Sequence, residues 1–293
     1  MVANLVPVDK EIQFCLNQRL EALESYLNAD VISFTGTLDG NEMTFAQLIE
    51  DIKTDGKTHD TLFVLLTTPG GRAESVERHV NILRKHYAVV NFIVPDHAYS
   101  AGTIFCMSGN AIYMDYISVL GPIDPQIRNK DGNYVPALGY LDKVKELVGK
   151  AESGTLTQAE FLILKDLDLA ELRAYEQAKE LTIDLLQEWL VKYKFKDWSI
   201  HRTTEGIIGQ EVTMQEKEAR ATEIANKLSD NTIWKSHGRP INIEALEKEL
   251  KLKIEDYSEK LDLREKIKNY YLLLNDYISR NRLSLFVHTR RFI

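Results

Sequence analysis

Only two cysteines, Cys15 and Cys106, occur in the 293 residues of this chain. They are too few and too far apart for a disulfide scaffold or a cysteine metal site, which points to a reducing compartment, the cytoplasm. No apolar run approaches the ~20 residues needed to span a bilayer. Asp9 stands where a signal peptide would build its hydrophobic region, so neither secretion nor membrane insertion is expected. An excess of basic residues is missing too: 36 Lys and Arg stand against 44 Asp and Glu, a formal net charge of -8. A sequence-independent nucleic-acid binder would need the opposite balance to release counterions from phosphates, so no nucleic-acid partner is expected. There is no P-loop and no internal repeat, so any ATP-driven unfolding must come from another protein. His59, His79, His86, His201 and His288 show no ligand spacing, and neither a metal nor another cofactor is expected.

What is present suffices for a large core, since 44% of the residues are hydrophobic. Helical spacing from Ile12 to Leu27 is followed by a short strand at Val31–Gly36 and a helix at Thr44–Lys53. Leu62–Leu66 and Val89–Val94 are β-rich runs, with a helical pattern at Glu74–His86 between them. Ala111–Met114 and Ser118–Gly121 add two further strands. This alternation predicts a mainly parallel sheet with right-handed crossovers, whose site gathers at the carboxyl ends of the strands.

Past the polar turn Asn129-Lys130-Asp131-Gly132-Asn133 the character becomes helical. Leu141, Val144, Leu147 and Val148 mark one helical face, and Phe161–Tyr193 reads as one long leucine-rich amphipathic region. Helices are also predicted at Gln215–Leu228, Ile243–Leu250 and Leu263–Ile278. The mixed charge opposite the Phe161–Leu190 stripe favours a packing surface over a lid or a membrane-surface helix.

Two small-residue turns leave the β-rich runs. Thr67-Thr68-Pro69-Gly70-Gly71 carries a glycine pair that lets backbone N–H groups approach a substrate carbonyl, although Pro-Gly-Gly also suits a plain tight turn. Asp96-His97-Ala98-Tyr99-Ser100-Ala101-Gly102-Thr103 puts a serine at a helix start, where unpaired N–H groups and the helix dipole would stabilise an oxyanion. Serine there is also a favoured N-cap.

Together and in this order, the two turns resemble the Clp-protease fold, the superfamily of the Clp proteolytic subunit, signal peptide peptidase A and the crotonases. Ala111-Ile112-Tyr113-Met114-Asp115 and Val119-Leu120-Gly121-Pro122-Ile123-Asp124-Pro125-Gln126 extend the resemblance. The latter, with Trp234-Lys235-Ser236-His237-Gly238-Arg239-Pro240-Ile241, is most similar to the serine dehydrogenase proteinase family. The resemblance covers Val31 to Ile127 and a short piece near Ile241. It implies an α/β protein with a Clp/crotonase-like ββα spiral core in residues 1–130. Residues 131–293 would form a mainly helical region that completes the domain and serves homo-oligomerisation. It also implies hydrolysis of a polypeptide substrate through an acyl-enzyme on Ser100, with the N–H groups of Gly71 (or Gly70) and Ala101 as oxyanion hole.

In Clp subunits the catalytic histidine follows the strand two elements after the nucleophile, where this chain offers Asp124. A carboxylate with an ordinary pKa of ~3.9 is a poor base for a serine hydroxyl, so Asp124 is expected to orient or polarise another group. The signal peptide peptidase branch uses a lysine kept neutral by burial or a nearby cation. Lys143, 43 residues after Ser100, stands about where that lysine falls, but Asp142, Lys145 and Glu146 around it suggest a solvated face. His237 is the other candidate, since an ordinary imidazole pKa of ~6.5 suits a base at neutral pH. Ser100, His237 and Asp124 would then form a triad. His97 lies on the incoming turn, which points a side chain away from the Ser100 hydroxyl. Two further readings are a crotonase-like acyl-CoA enzyme, which needs no nucleophilic serine, and a catalytically silent scaffold.

Overall fold

The computed structural model describes residues 7–54, 56, 59–128, 134–201 and 206–290. Helix α1 (Pro7–Leu27) leads into β1 (Asp30–Gly36), α2 (Glu42–Lys53), β2 (Thr61–Thr67), α3 (Ala73–His86) and β3 (Val89–Val94). Then come β4 (His97–Ala98), α4 (Ala101–Met107), β5 (Ala111–Met114), β6 (Val119–Leu120) and a hairpin of β7 (Gln126–Arg128) and β8 (Tyr134–Pro136). The second half begins with α5 (Ala137–Glu152), α6 (Gln158–Lys165) and α7 (Leu169–Trp189), which runs into a π-type turn at Leu190–Lys194. It continues with α8 (Met214–Ser229), α9 (Asn231–Trp234), α10 (Ile243–Leu250), β9 (Glu255–Asp256), α11 (Leu261–Asn281) and β10 (Leu285–His288).

Six strands form one sheet in the order β10-β1-β2-β3-β5-β9, parallel except for β10. The register aligns Ile32, Val64, Phe92 and Ile112 in one row across it. A parallel sheet covered on both faces needs apolar side chains at successive positions, which explains the unbroken run Leu62-Phe63-Val64-Leu65-Leu66. Leu62, Val64 and Leu66 enter a core with residues of α2, α3, α4, α7 and α8. Phe63 and Leu65 enter a second core with Leu16 and Leu20 of α1 and Ile267 and Tyr270 of α11.

The segments after residue 250 are built into the sheet rather than appended to it. They supply both edge strands, β9 and β10, and the helix that packs with α1 over one face. Neither edge strand stands out in the sequence: β9 has two residues, too few to show a period, and β10 is a four-residue stretch close behind a long helix. The leucine-rich Phe161–Tyr193 region holds two helices, α6 and α7. A capping box of Thr157 and Glu160 starts α6, and the Asp168 carboxylate accepts the Ala170 N–H at 2.8 Å to start α7. The turn read at Asn129–Asn133 lies outside the described residues.

At the end of β10 the His288 ring is buried, with Nε2 2.7 Å from Asn17 Oδ1 and Nδ1 2.9 Å from the Tyr270 hydroxyl. Burial holds it neutral and lowers its pKa from 6.5 to about 4. The unfolded chain therefore takes up this proton first as pH falls. The contribution is complete above about pH 6.5 and drains away down to about pH 4, a loss of about 3 kcal/mol. Urea melts at neutral and acidic pH are expected to show a smaller decline for His288→Gln than for the parent. Equal declines would count against this account.

Candidate active site

The two small-residue turns lie side by side because Thr68, just past β2, forms a parallel bridge with Ala98 of β4. Thr68 donates its N–H to His97 O at 3.1 Å, and Tyr99 donates to Thr68 O at 3.0 Å. This brings Gly70 against the nucleophile candidate: a Cβ there would meet Tyr99 O at 3.0 Å and Ser100 Cβ at 3.1 Å. Gly70 also has φ +115, which L side chains rarely adopt. Gly70→Ala is expected to cost about 1–3 kcal/mol and to displace Ser100, slowing its labelling by a fluorophosphonate about tenfold or more. Gly154→Ala, at φ +69 in open space, is the control for backbone strain alone and keeps the parent labelling rate.

Ser100 sits at the start of α4 with φ 52 and ψ -119, a strained conformation for a residue with a Cβ. Its side chain makes no capping hydrogen bond, so the hydroxyl is not spent on the helix. With seven residues, α4 is too short for much of a macrodipole, and the local N–H groups are what matters. Thr68 Oγ1 takes the Gly70 N–H at 3.0 Å. The N–H groups of Gly71 and Ala101, by contrast, have no hydrogen-bond partner among the described residues. The Gly71 peptide is held from behind, since Arg72 N donates to Asp39 Oδ1 at 2.7 Å and Leu38 N to Gly70 O at 3.0 Å.

Thr103, to which the sequence reading gave no role, ties the nucleophile turn to the next strand. Its buried Oγ1 lies 2.9 Å from Ala98 O and 2.8 Å from Gly121 O, and accepts the Gly121 N–H at 3.0 Å. A buried hydroxyl one residue after a helix-start glycine was the available signal. Gly121 itself has room for no Cβ, which would fall 2.5 Å from the Tyr99 ring and 3.4 Å from Ser100 N.

Beyond Gly121 the chain reaches Asp124, fully buried, whose Oδ1 accepts a hydrogen bond from His237 Nδ1 at 2.8 Å. Gln126 Nε2 donates to Oδ2 at 3.0 Å. Paired backbone bonds between Leu120 and Ile241, both 2.9 Å, bring the His237 loop here. With Nδ1 committed to Asp124, His237 keeps Nε2 for another partner. No hydrogen bond joins His237 to Ser100 among the described residues. Lys143 lines the same cleft as His237, but its side chain is 57% exposed and its ammonium pairs with Glu146 at 2.9 Å. His97 is turned elsewhere: its Nδ1 lies 3.1 Å from Asp96 Oδ2 and its ring stacks on Tyr99.

An α/β sheet with a strained serine at a strand-end turn, backed by a glycine pair, defines the class. The family model of the ClpP-like SDH-type serine proteinases matches residues 46–211. The chain belongs to that family. The match takes in Gly71, Ser100, Ala101, Asp124 and Lys143, while His237 lies beyond it. Two uncharacterised proteins of Methanocaldococcus jannaschii are similar. MJ1495 is 29% identical over 80% of this chain and 64% of its own length, and MJ0137 is 31% identical over 46% and 43%. The chain thus spans less than two thirds of either relative.

Among solved structures, a serine-to-alanine mutant of the 1510-N membrane-bound stomatin-specific protease is 24% identical. It covers 47% of this chain and 70% of its own, at TM-score 0.32. A lysine-to-alanine mutant of the same protease, in complex with a substrate peptide, is 27% identical over 43% and 60%, at TM-score 0.29. The ClpP protease catalytic domain of Plasmodium falciparum is 15% identical over 60% and 90%, at TM-score 0.30. Among the described residues, no helix is long and apolar enough to cross a membrane.

Proposed function

We propose that this protein is a serine endopeptidase acting on extended polypeptide segments through an acyl-enzyme on Ser100. The observation that carries the reading is the Ser100 hydroxyl: uncapped, on a strained backbone, beside the N–H groups of Gly71 and Ala101, which have no partner among the described residues. His237 Nε2 takes the hydroxyl proton as the oxygen attacks the scissile carbonyl, and the two N–H groups hold the tetrahedral oxyanion. His237 then passes the proton to the leaving amine, and a water activated in the same way releases the acyl group. Asp124 fixes the ring so that Nε2 is the basic nitrogen. The step from Nε2 to Ser100 closes when substrate binds, as catalytic hydrogen bonds often tighten only in the complex.

Acyl-CoA chemistry would leave the strained serine without a role. A silent scaffold would leave its hydroxyl unreactive, and reaction with a serine-directed fluorophosphonate, followed by a casein cleavage assay, separates these readings. Labelling at Ser100 with casein cleavage is expected. Absence of both sinks the proposal. The two free cysteines, one buried, support a reducing, cytoplasmic setting, and the exposed Phe161, Leu162 and Ile163 of α6 support burial of that face in a homo-oligomer.

A further inference from the structure

The cleft beside His237 has a volume of about 430 Å³ and is lined by Tyr140 and Lys143 of α5 with Asn231, Lys235, Ser236 and His237. Its lining holds two lysines and no acid, in a chain whose formal net charge is -8. The Lys235 side chain has no partner among the described residues, and its backbone is held left-handed, at φ 66 and ψ -18, where α9 ends. Among the described residues Lys143 is tied to Glu146 alone, in an exposed pair of the kind that contributes little. Two lysines, an asparagine and a serine therefore contribute to a cleft to whose lining no acidic residue belongs.

Resting on the peptidase reading, we infer that this cleft recognises a carboxylate on the leaving-group half of the polypeptide substrate. The side follows from the base. His237 has Nδ1 on Asp124, so Nε2 must deliver the proton to the leaving amine, and the chain leaving with that amine passes along the wall His237 shares. The carboxylate belongs either to an acidic side chain shortly after the scissile bond or to the substrate's own C-terminus.

Two sets of internally quenched peptides test this. The first set has amidated ends and Glu or Gln at each position after the scissile bond. The second has Gln throughout and a free or amidated C-terminus. A preference of about tenfold in kcat/KM, carried mainly by KM, is expected for Glu in the first set or for the free acid in the second. The set that shows it names the source. Lys235→Gln is expected to bring that ratio close to one, whatever the absolute rates. On the parent protein, raising salt from about 50 to about 500 mM is expected to shrink the ratio, because exposed charges are screened. Cleavage with neither preference, or a ratio unmoved by both Lys235→Gln and salt, overturns the inference and leaves the peptidase reading standing. If Ser100 takes up a fluorophosphonate and no peptide is cut, or if it takes up none, the peptidase reading fails first and the inference with it.

Discussion

Replacing Ser100 by alanine is expected to abolish fluorophosphonate labelling and to lower peptide cleavage about 10⁴-fold or more, with almost no change in thermal stability. The two readouts separate two roles for a serine at a helix start. As an N-cap, its hydroxyl would accept a backbone N–H, and alanine would cost about 1 kcal/mol while leaving chemistry alone. In this fold the side chain makes no capping bond, so deletion removes no stabilising contact. The strained φ of 52 is fixed by the backbone, through Gly102 N to Tyr99 O at 2.8 Å and Thr103 N to Ser100 O at 2.9 Å, and alanine inherits it. A variant that loses stability and keeps cleavage would return Ser100 to a structural role.

The second large effect concerns Asp124→Asn, for which a fall of about 10⁴ in kcat with little change in KM is expected. The carboxylate accepts from two donors at once, His237 Nδ1 at 2.8 Å and Gln126 Nε2 at 3.0 Å. An amide of the same shape has one accepting oxygen. If its NH₂ faces His237, Nδ1 must become the acceptor and the proton moves to Nε2, which can then no longer take one from Ser100. If its NH₂ faces Gln126, that side chain must turn its own amide round to accept, and His237 is left with a neutral oxygen in place of the carboxylate that stabilises the imidazolium formed in the reaction. Either arrangement harms the base or its support. His237→Ala is expected to fall as far, and the two losses are not additive because the residues act as a unit. The opposite pattern, activity kept in Asp124→Asn and lost in Lys143→Ala, would move the base to the amine.

Much of this site can be read from short stretches of sequence. The glycine pair, the serine after a β-rich run and the Gly121–Asp124 segment are each local, and each lies at an element boundary that propensity and turn chemistry mark. The boundary of α10 at Ile243–Leu250 and that of β3 at Val89–Val94 follow in the same way from hydrophobic period and length. What the sequence left open was of another kind. The division of the Phe161–Tyr193 region depends on two caps set inside a continuous leucine pattern, β9 is too short to have a pattern, and β10 lies close behind the long helix α11.

The sequence by itself determined the alternation of helices with β1, β2, β3 and β5 and the turn that carries Ser100. These are settled within a few residues by backbone sterics, side-chain period and the conformational freedom of glycine. Tertiary structure alone decided which partner Asp124 takes, because His237 lies 113 residues away and arrives through the Leu120–Ile241 pairing. It also decided that Thr68 claims the Gly70 N–H while that of Gly71 has no partner among the described residues, and that β10 closes the sheet edge beside β1. Contacts of this kind depend on how the whole chain packs and on which donors are already satisfied, and neither is written in the spacing of neighbouring residues.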